Sequence, residues 1–556
     1  MTRAMLTRGP QHIGPPALQK NGSQAASNPG RAVDRLSWLW LAIGAILLPL
    51  TAWQTVLPLA AWLAPILLMR FVRTQRAAVG LPVVAIVSSA AVIIAFRNEL
   101  VPAPAPIAQL IAVGHGIAFS LAYVVDRLLA PRLHGVARTL VFPLAATAVS
   151  WLVSIAPGTY ATWGSPAYSQ VDNLALVQLV SVTGLWGLTF LISWLAPVAN
   201  EAWEHRFAWR SVRSSAVPFA SVLLAVLLFG SVRLAFSSSE SPTVRVAGLV
   251  ADTAQAAMLE HNMLTIVKDI PGQVPVWVKL AGGSDTLRAM ARAQFTPILD
   301  DLFERTRREA RAGAKIVVWS EEAAQILQED EPLVIERAVA LARDEGIYLQ
   351  MGWLVSLHTE QFPYIQNRAL LVDPSGALVW DYAKSHPVPG GETFLFGPGE
   401  GIVPNVTTPY GVLATVICFD MNYPTTVRQT GQAATDVLLA PSRDWAAIKV
   451  THAQMHAFRA IENGVSVVRP TENGVGLAVD PMGRILAAQD SFATDKPALV
   501  AAVPTRGVAT VYARVGDSFA YMSIAALVLL IGGAFVRGRV LRVAAAPAAT
   551  FGAHRG

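Results

Sequence analysis

The chain of 556 residues is 53% hydrophobic and only 14% charged, whereas an average soluble domain has about 25% charged residues. This composition excludes a protein that is soluble throughout. It also excludes a disordered chain, because burial of so much apolar surface offsets the entropy lost on folding. The single cysteine excludes a disulfide or a multi-cysteine metal cluster within one chain.

The charges divide the chain into an acidic part and a basic part. Residues 240–517 contain 23 basic and 31 acidic residues, and the rest of the chain contains 20 basic and 6 acidic ones. The acidic part has the composition of an ordinary folded domain. The basic part consists mostly of long apolar segments, which is typical of membrane-spanning helices. The net charge of +6 is therefore not a sign of nucleic-acid binding.

The basic part begins with a tail and continues with apolar segments. Residues 1–36 are rich in Gly, Pro, Ser, Gln and Ala and lack periodicity, which predicts a disordered tail. About eight membrane spans are predicted, at 37–53, 54–69, 77–96, 104–125, 139–156, 174–196, 216–234 and 518–535. The expected domains are a cytoplasmic tail (1–36), a seven-helix membrane domain (37–239), an external domain (240–517), a final span (518–536) and a cytoplasmic tail (537–556).

The basic residues between the spans predict the orientation of the chain. If the N-terminus is cytoplasmic, 18 of the 20 basic residues of the membrane part lie on the inner side, and only Arg97 and Arg233 lie outside. Because Lys and Arg accumulate on the cytoplasmic side, both termini are expected inside and the acidic domain outside. His115 lies within the fourth span, where a functional role and packing against a neighbouring helix remain equal alternatives.

The acidic domain alternates short apolar runs with amphipathic stretches, which predicts an α/β domain. Strands are predicted at 244–250, 315–319, 347–352, 367–372, 411–417, 437–440, 466–469 and 474–479. Helices are predicted at 295–312, 332–345 and 445–463. The segment 252–294 is either a mobile lid or an ordinary variable surface loop.

Three reactive groups stand where loops leave these elements. Glu321 follows one apolar strand, Cys418 follows another, and Lys384 lies between them in a loop rich in Pro and Gly. Residues at strand ends are well placed to face a crevice. A thiolate can attack a carbonyl, a carboxylate can take its proton, and an ammonium can stabilise the oxyanion. Taken singly, however, the cysteine suits a buried apolar position and the two charges suit the surface.

The order Glu, Lys, Cys resembles the nitrilase (carbon–nitrogen hydrolase) superfamily. The run Arg-Ala-Ile-Glu-Asn-Gly at 459–464 and the run Asp-Pro-Met-Gly-Arg at 480–484 strengthen the resemblance. Such a domain inside a multi-helix membrane frame is similar to the apolipoprotein N-acyltransferases, with roughly residues 40 to 540 covered. Four further segments resemble that family, at 168–170, 183–187, 388–392 and 512–517.

This resemblance implies a fold, a reaction and a location. The external domain is expected to be an αββα sandwich. Cys418 is expected to accept a fatty acyl group from a phospholipid as a thioester, with Glu321 as general base, Lys384 stabilising the oxyanion and Glu392 assisting the lysine. The acceptor is the N-terminal amine of a diacylated apolipoprotein. The resemblance implies no metal and no cofactor. It places a multi-pass protein, expected to be a monomer, in the bacterial inner (cytoplasmic) membrane.

Some positions depart from the family pattern. Ser320 replaces the usual Pro before the base, and Phe419 and Asp420 replace the usual Tyr and Glu after the nucleophile. Phe419 and Asp420 are expected to support the site, with the acyl-donor preference most affected by the change.

Other functions remain as alternatives. They are a membrane-bound amidase or nitrilase-type hydrolase, a transporter and an inactive lipoprotein-binding module. His452 and His456 lack the Glu that a helical zinc motif requires. The basic run at 305–308 is flanked by acidic residues, which favours a solvated helix face over nucleic-acid binding.

Overall fold

The structure is a computed structural model that describes residues 34–52, 55–97, 105–237, 241–268 and 275–544. The predicted tails lie outside these residues, apart from 34–36 and from 537–544, which continue the last helix. The helices are α1 Ser37–Leu47, α2 Pro58–Thr74, α3 Ala77–Ala95, α4 Ala105–Leu129, α5 Gly135–Ile155, α6 Leu174–Val177, α7 Val180–Thr183, α8 Leu185–Glu204, α9 Trp209–Ala235, α10 Thr253–Ile266, α11 Val276–Ala281, α12 Asp285–Arg311, α13 Glu331–Glu345, α14 Pro424–Gln432, α15 Lys449–Asn463, α16 Val511–Val515 and α17 Ser518–Ala544.

The strands belong to the acidic domain. They are β1 Thr243–Leu249, β2 Ile316–Trp319, β3 Ala324–Leu327, β4 Tyr348–Ser356, β5 Ile365–Val372, β6 Leu378–Ala383, β7 Asn405–Thr408, β8 Gly411–Thr415, β9 Val437–Leu439, β10 Ser442–Arg443, β11 Ser466–Arg469, β12 Thr471–Glu472, β13 Val475–Val479, β14 Ile485–Asp490 and β15 Ala498–Pro504. All eight predicted strands are present, with ends displaced by at most four residues.

Two mixed sheets form the centre of this domain. The first has the order β15-β1-β2-β4-β5-β6, with β3 also paired to β4, and the second has the order β14-β13-β11-β9-β8-β7. Alternation along β2 shows how the layers form: Ile316 and Val318 pack between the sheets, and Val317 and Trp319 pack under the outer helices. Helices α10, α12 and α13 cover the first sheet, and α15 covers the second. The expected αββα sandwich is therefore the observed architecture.

Within the described residues, five helical segments are long and apolar enough to cross a membrane. They are Ala77–Ala95, Pro106–Arg132, Gly135–Ile155, Trp209–Ala235 and Ser518–Val536. Helices α1 and α2 are shorter, and α8 has 20 residues. The membrane part is thus an α-helical bundle to which the α/β domain is attached.

The predicted sixth span at 174–196 is wrong in its boundaries. A break at Gly184, where φ is +62°, separates the short helices α6 and α7 from α8. Leu176, Val177 and Val180 are buried inside the protein, in the apolar cluster that also contains Phe458 and Ile461 of α15. Hydropathy cannot distinguish the interior of a protein from lipid, so the sequence predicts a span over the run 174–183.

The described part of the segment 252–294 consists mostly of helix: α10, α11 and the start of α12. Leu259 and Met263 of α10, Leu280 of α11 and Leu287 of α12 are buried against the first sheet. Helix α12 begins at Asp285, ten residues before the predicted start.

Helix α15 is buried on opposite faces. Its small residues Ala453, Ala457 and Ala460 lie on the second sheet. Its large residues Met455, Phe458 and Ile461 lie against the membrane part. The small side chains let the helix approach the sheet closely, and the large ones fill the space to the membrane helices. This helix therefore couples the two parts of the chain.

Gly184 stands at this junction and should not tolerate a side chain. A Cβ at this position would lie 2.4 Å from the ring of Tyr512, and the backbone is left-handed. We expect Gly184→Ala to lower the free energy of unfolding by roughly 1–3 kcal/mol, measured as a lower Tm of the protein in detergent. Gly114→Ala is the matched control, because a Cβ on Gly114 meets nothing within 4 Å. An unchanged Tm for Gly184→Ala would contradict the close packing.

Candidate active site

Cys418 lies in a tight turn directly after the second sheet's β8. Its backbone φ is +45°, in the left-handed region that non-glycine residues rarely adopt. Its N–H donates to the Pro441 carbonyl at 2.9 Å, and its Sγ–H donates to the Arg443 carbonyl at 3.3 Å. Strain of this kind is retained only where the surrounding structure enforces it.

The buried carboxylate of Asp420 enforces the turn. It accepts hydrogen bonds from the N–H groups of Ile417 at 3.0 Å and His386 at 2.7 Å, and from the Tyr382 hydroxyl at 2.8 Å. The Ser385 N–H donates to it as well, at 3.1 Å. Burial raises the pKa of Asp420 to about 6, and these donors oppose the shift. Asp420 thus ties the cysteine turn to the loop that contains Lys384.

Lys384 is buried and contacts two carboxylates. Its Nζ lies 2.7 Å from Glu321 Oε1 and 2.8 Å from Glu392 Oε1. Burial alone would lower the pKa of Lys384, but Glu321 and Glu392 raise it well above its ordinary value. The lysine is therefore an ammonium at any physiological pH.

The two carboxylates have further donors. Glu321 Oε1 also accepts from Asn367 Nδ2 at 2.8 Å, and its Oε2 accepts from the Arg443 N–H at 2.8 Å. Glu392 Oε2 accepts from the Val388 N–H at 2.8 Å. Burial raises the pKa of Glu392, and the charge of Lys384 opposes that rise.

The charges of Glu321 and Lys384 also affect the pKa of the Cys418 thiol. Burial raises its pKa well above the ordinary value, the charge of Glu321 raises it further, and Lys384 lowers it. The resting side chain is therefore a thiol, and a base must remove its proton before it can attack a carbonyl.

These groups face a cavity of about 940 Å³. Cys418, Lys384 and Glu392 line it, while Glu321 lies behind the lysine. Its other walls are largely apolar and include Tyr160, Trp163, Trp277, Phe394, Phe396 and Phe419. Tyr160 and Trp163 belong to the loop after α5, so both parts of the chain enclose the cavity. Such a cavity can take a large apolar ligand beside a nucleophile.

Phe419 and Asp420 differ in what they contact. Phe419 packs edge-to-face against Tyr160 and Tyr423, with ring centroids 5.8 and 5.7 Å apart. It therefore forms cavity wall, whereas Asp420 is buried beneath the turn.

Two polar groups lie at the site that the sequence did not assign to it, His452 near the cysteine and Glu322 near the other glutamates. His452 contacts Asp444 at 2.6 Å and Asn422 at 3.0 Å through its two ring nitrogens, so both are engaged. Burial lowers the pKa of His452, which leaves a neutral imidazole. The second group is Glu322, 2.6 Å from Arg443. The doubled glutamate after β2 was the available signal for it.

The fold and the site define the chain as a carbon–nitrogen hydrolase-type enzyme joined to membrane helices. Residues 262–511 match the carbon-nitrogen hydrolase family, and residues 44–198 match the apolipoprotein N-acyltransferase N-terminal domain. The chain is 27% identical over 399 residues to the apolipoprotein N-acyltransferase of Geobacter metallireducens, covering 67% of this chain and 70% of that protein. It is 26% identical over 431 residues to that of Bradyrhizobium diazoefficiens, covering 71% and 73%. The chain is therefore similar to the apolipoprotein N-acyltransferases in both its membrane part and its α/β domain.

A solved structure is similar to about half of the chain. An amidase from Nesterenkonia sp. is 18% identical, with 51% of this chain and 98% of that chain covered and a TM-score of 0.36.

Removal of the lysine charge should make the cysteine less reactive. Because Lys384 lowers the pKa of the Cys418 thiol, we expect Lys384→Met to move the midpoint of the pH dependence of iodoacetamide labelling upward. Lys449→Met is the matched control, since Lys449 pairs with Asp490 away from the thiol. Mass spectrometry of the labelled peptide measures the rate. A midpoint that is the same in both variants and the native protein would refute the electrostatic coupling.

Proposed function

We propose that this protein transfers a fatty acyl group from a phospholipid to the N-terminal amine of diacylglyceryl-cysteine apolipoproteins. The observation that carries the proposal is the meeting of Cys418, Lys384 and Glu392 on the wall of one large apolar cavity, with Glu321 behind the lysine. The names of the relatives and the match to the N-terminal domain of this family support it.

In the first half-reaction, Glu321 takes the proton from Cys418, and the thiolate attacks the ester carbonyl of the phospholipid. The Lys384 ammonium stabilises the oxyanion of the tetrahedral intermediate. The ester C–O bond then breaks, Glu321 returns the proton to the leaving alkoxide, and the acyl group remains on Sγ as a thioester.

In the second half-reaction, the amine of the acceptor attacks the thioester carbonyl. Lys384 stabilises the second oxyanion, the C–S bond breaks and an amide forms. Glu392 keeps the ammonium in place, Asp420 holds the cysteine turn and Phe419 shapes the cavity wall. None of these steps uses a metal or a cofactor.

We also propose the membrane arrangement. Helices α1, α2 and α8 are three further spans beside the five helical segments that are long and apolar enough to cross a membrane, so the chain crosses it eight times. Arg73, Arg127 and Arg138 lie near the ends of α2, α4 and α5 and line one pocket together. Retention of arginine on the cytoplasmic side then places both termini inside, and the α/β domain outside, the bacterial cytoplasmic membrane. Under this arrangement one chain holds the whole site, consistent with a monomer.

The thioester supplies the central test. Purified protein incubated with a phospholipid labelled in its acyl chain should acquire a hydroxylamine-sensitive label on Cys418. Cys418→Ala should acquire none, and Glu321→Gln should lose at least roughly 10²-fold in labelling rate, the usual contribution of a general base. Peptide mass spectrometry locates the label. An unlabelled native protein would refute the acyltransferase.

The acceptor distinguishes transfer from hydrolysis. A diacylated lipopeptide added to the labelled enzyme should receive the acyl group on its amine. Release only as free fatty acid, with or without the lipopeptide, would instead indicate a hydrolase.

A further inference from the structure

Glu322 lies next to the proposed base, and none of the proposed steps uses it. Its backbone φ is +55°, a left-handed conformation that a glutamate adopts at a cost of about 1–3 kcal/mol. Its side chain is 9% exposed, with one carboxylate oxygen 2.6 Å from the Arg443 guanidinium and the other 3.4 Å from Asn367 Nδ2. The chain therefore holds a further buried carboxylate at the site, in a strained position.

This carboxylate lies where two cavities meet. A second cavity of about 370 Å³ lies beneath helices α10 and α11, and it shares Glu322, Arg443, Glu260, Trp277 and Asn473 with the catalytic cavity. Its charged lining consists of Glu260, Glu322 and Glu472 against Arg443. An excess of carboxylates favours a cationic ligand in this cavity.

Burial and the charges around Glu322 bring its pKa near neutral pH, where it can exchange protons. Carboxylate oxygens of Glu321, Glu322 and Glu392 lie within 4.8 Å of one another. Burial raises the pKa of Glu322 to about 7; Glu321 and Glu392 also raise it, while Arg443 and Lys384 lower it.

The proposed second half-reaction needs such a group. An α-amine has a pKa of about 7.7–8.0, so the acceptor arrives mostly as an ammonium, which has no lone pair for attack. The nitrogen loses two protons on its way from ammonium to amide. One proton restores the Cys418 thiol through Glu321. The other requires a second base.

We propose that Glu322 binds the N-terminal ammonium of the acceptor at the junction of the two cavities and removes its first proton. This inference rests on the proposed function. The N–H bond breaks, the proton goes to the Glu322 carboxylate, and the freed lone pair forms the C–N bond at the thioester carbonyl. When the C–S bond breaks, the thiolate recovers a proton from the nitrogen through Glu321. The Glu322 carboxyl then releases its proton to solvent through the cavity.

The test measures the two half-reactions separately in the Glu322→Gln variant. Labelling of Cys418 by phospholipid should match the native protein, because Glu322 takes no part in that step. Discharge onto a diacylated lipopeptide at pH 7 should be slower by about 10²-fold. Discharge onto hydroxylamine should be unchanged, because hydroxylamine is already a free base at this pH. Glu336→Gln, which removes an exposed glutamate of α13, is the matched control and should behave as the native protein.

The pH dependence distinguishes a base from a structural residue. The defect of Glu322→Gln should shrink toward pH 9, where the lipopeptide amine loses its proton without help. A defect of equal size at every pH, or one shared by lipopeptide and hydroxylamine, would overturn the assignment.

Two further outcomes are separable. If Cys418 is not acylated in Glu322→Gln, the Glu322→Asp variant is tested in its place. The acyl group on this variant must transfer to hydroxylamine at the native rate and to lipopeptide more slowly than in the native protein. An equal fall in both rates would overturn the assignment. Absence of the label in the native protein refutes the proposed function itself.

Discussion

A buried ammonium must be matched by carboxylates, and the site is arranged around that requirement. Removing Lys384 from water costs several kcal/mol unless opposite charges compensate for the lost hydration. Glu321 and Glu392 provide these charges at 2.7 and 2.8 Å. Glu321 lies far from Lys384 and Glu392 in the sequence, so the three charges meet only when both the first sheet and the loop after β6 are in place. Asp420 then joins that loop to the cysteine turn through its hydrogen bonds.

The junction between the domain and the membrane helices depends on a second buried pair. Arg459 and Glu462 of α15 contact each other within the protein interior. Arg459 also donates to the Tyr168 hydroxyl at 2.6 Å, and Glu462 accepts from the Leu185 N–H at 2.9 Å. Because both partners of the pair also bind the membrane part, the catalytic domain is held against it in one orientation. That orientation lets Tyr160 and Trp163 close the cavity over the cysteine.

Burial also bears on the proposed chemistry. An apolar cavity strengthens each charge interaction in it and limits the access of water, which favours transfer of the thioester over its hydrolysis. The same burial raises the pKa values of Cys418, Glu322 and Glu392. The pKa of Glu322, raised to about 7, suits a carboxylate that takes up and releases a proton near neutral pH, as a reaction that starts from an ammonium requires.

Local sequence patterns determined how the chain divides into two parts and where many of its strands lie. Composition and charge separated the membrane helices from the α/β domain, and apolar runs that end in Glu321 and Cys418 located two strand ends correctly. Periodicity and hydropathy report only whether a residue avoids water. They could not show that Leu176, Val177 and Val180 are buried in the same apolar cluster as residues of α15, or that α10, α11 and α12 lie over the first sheet. Only the tertiary structure decided which distant charges meet. The contact of Lys384 with Glu321, and the position of Glu322 between two cavities, arise from long-range packing that no local pattern encodes.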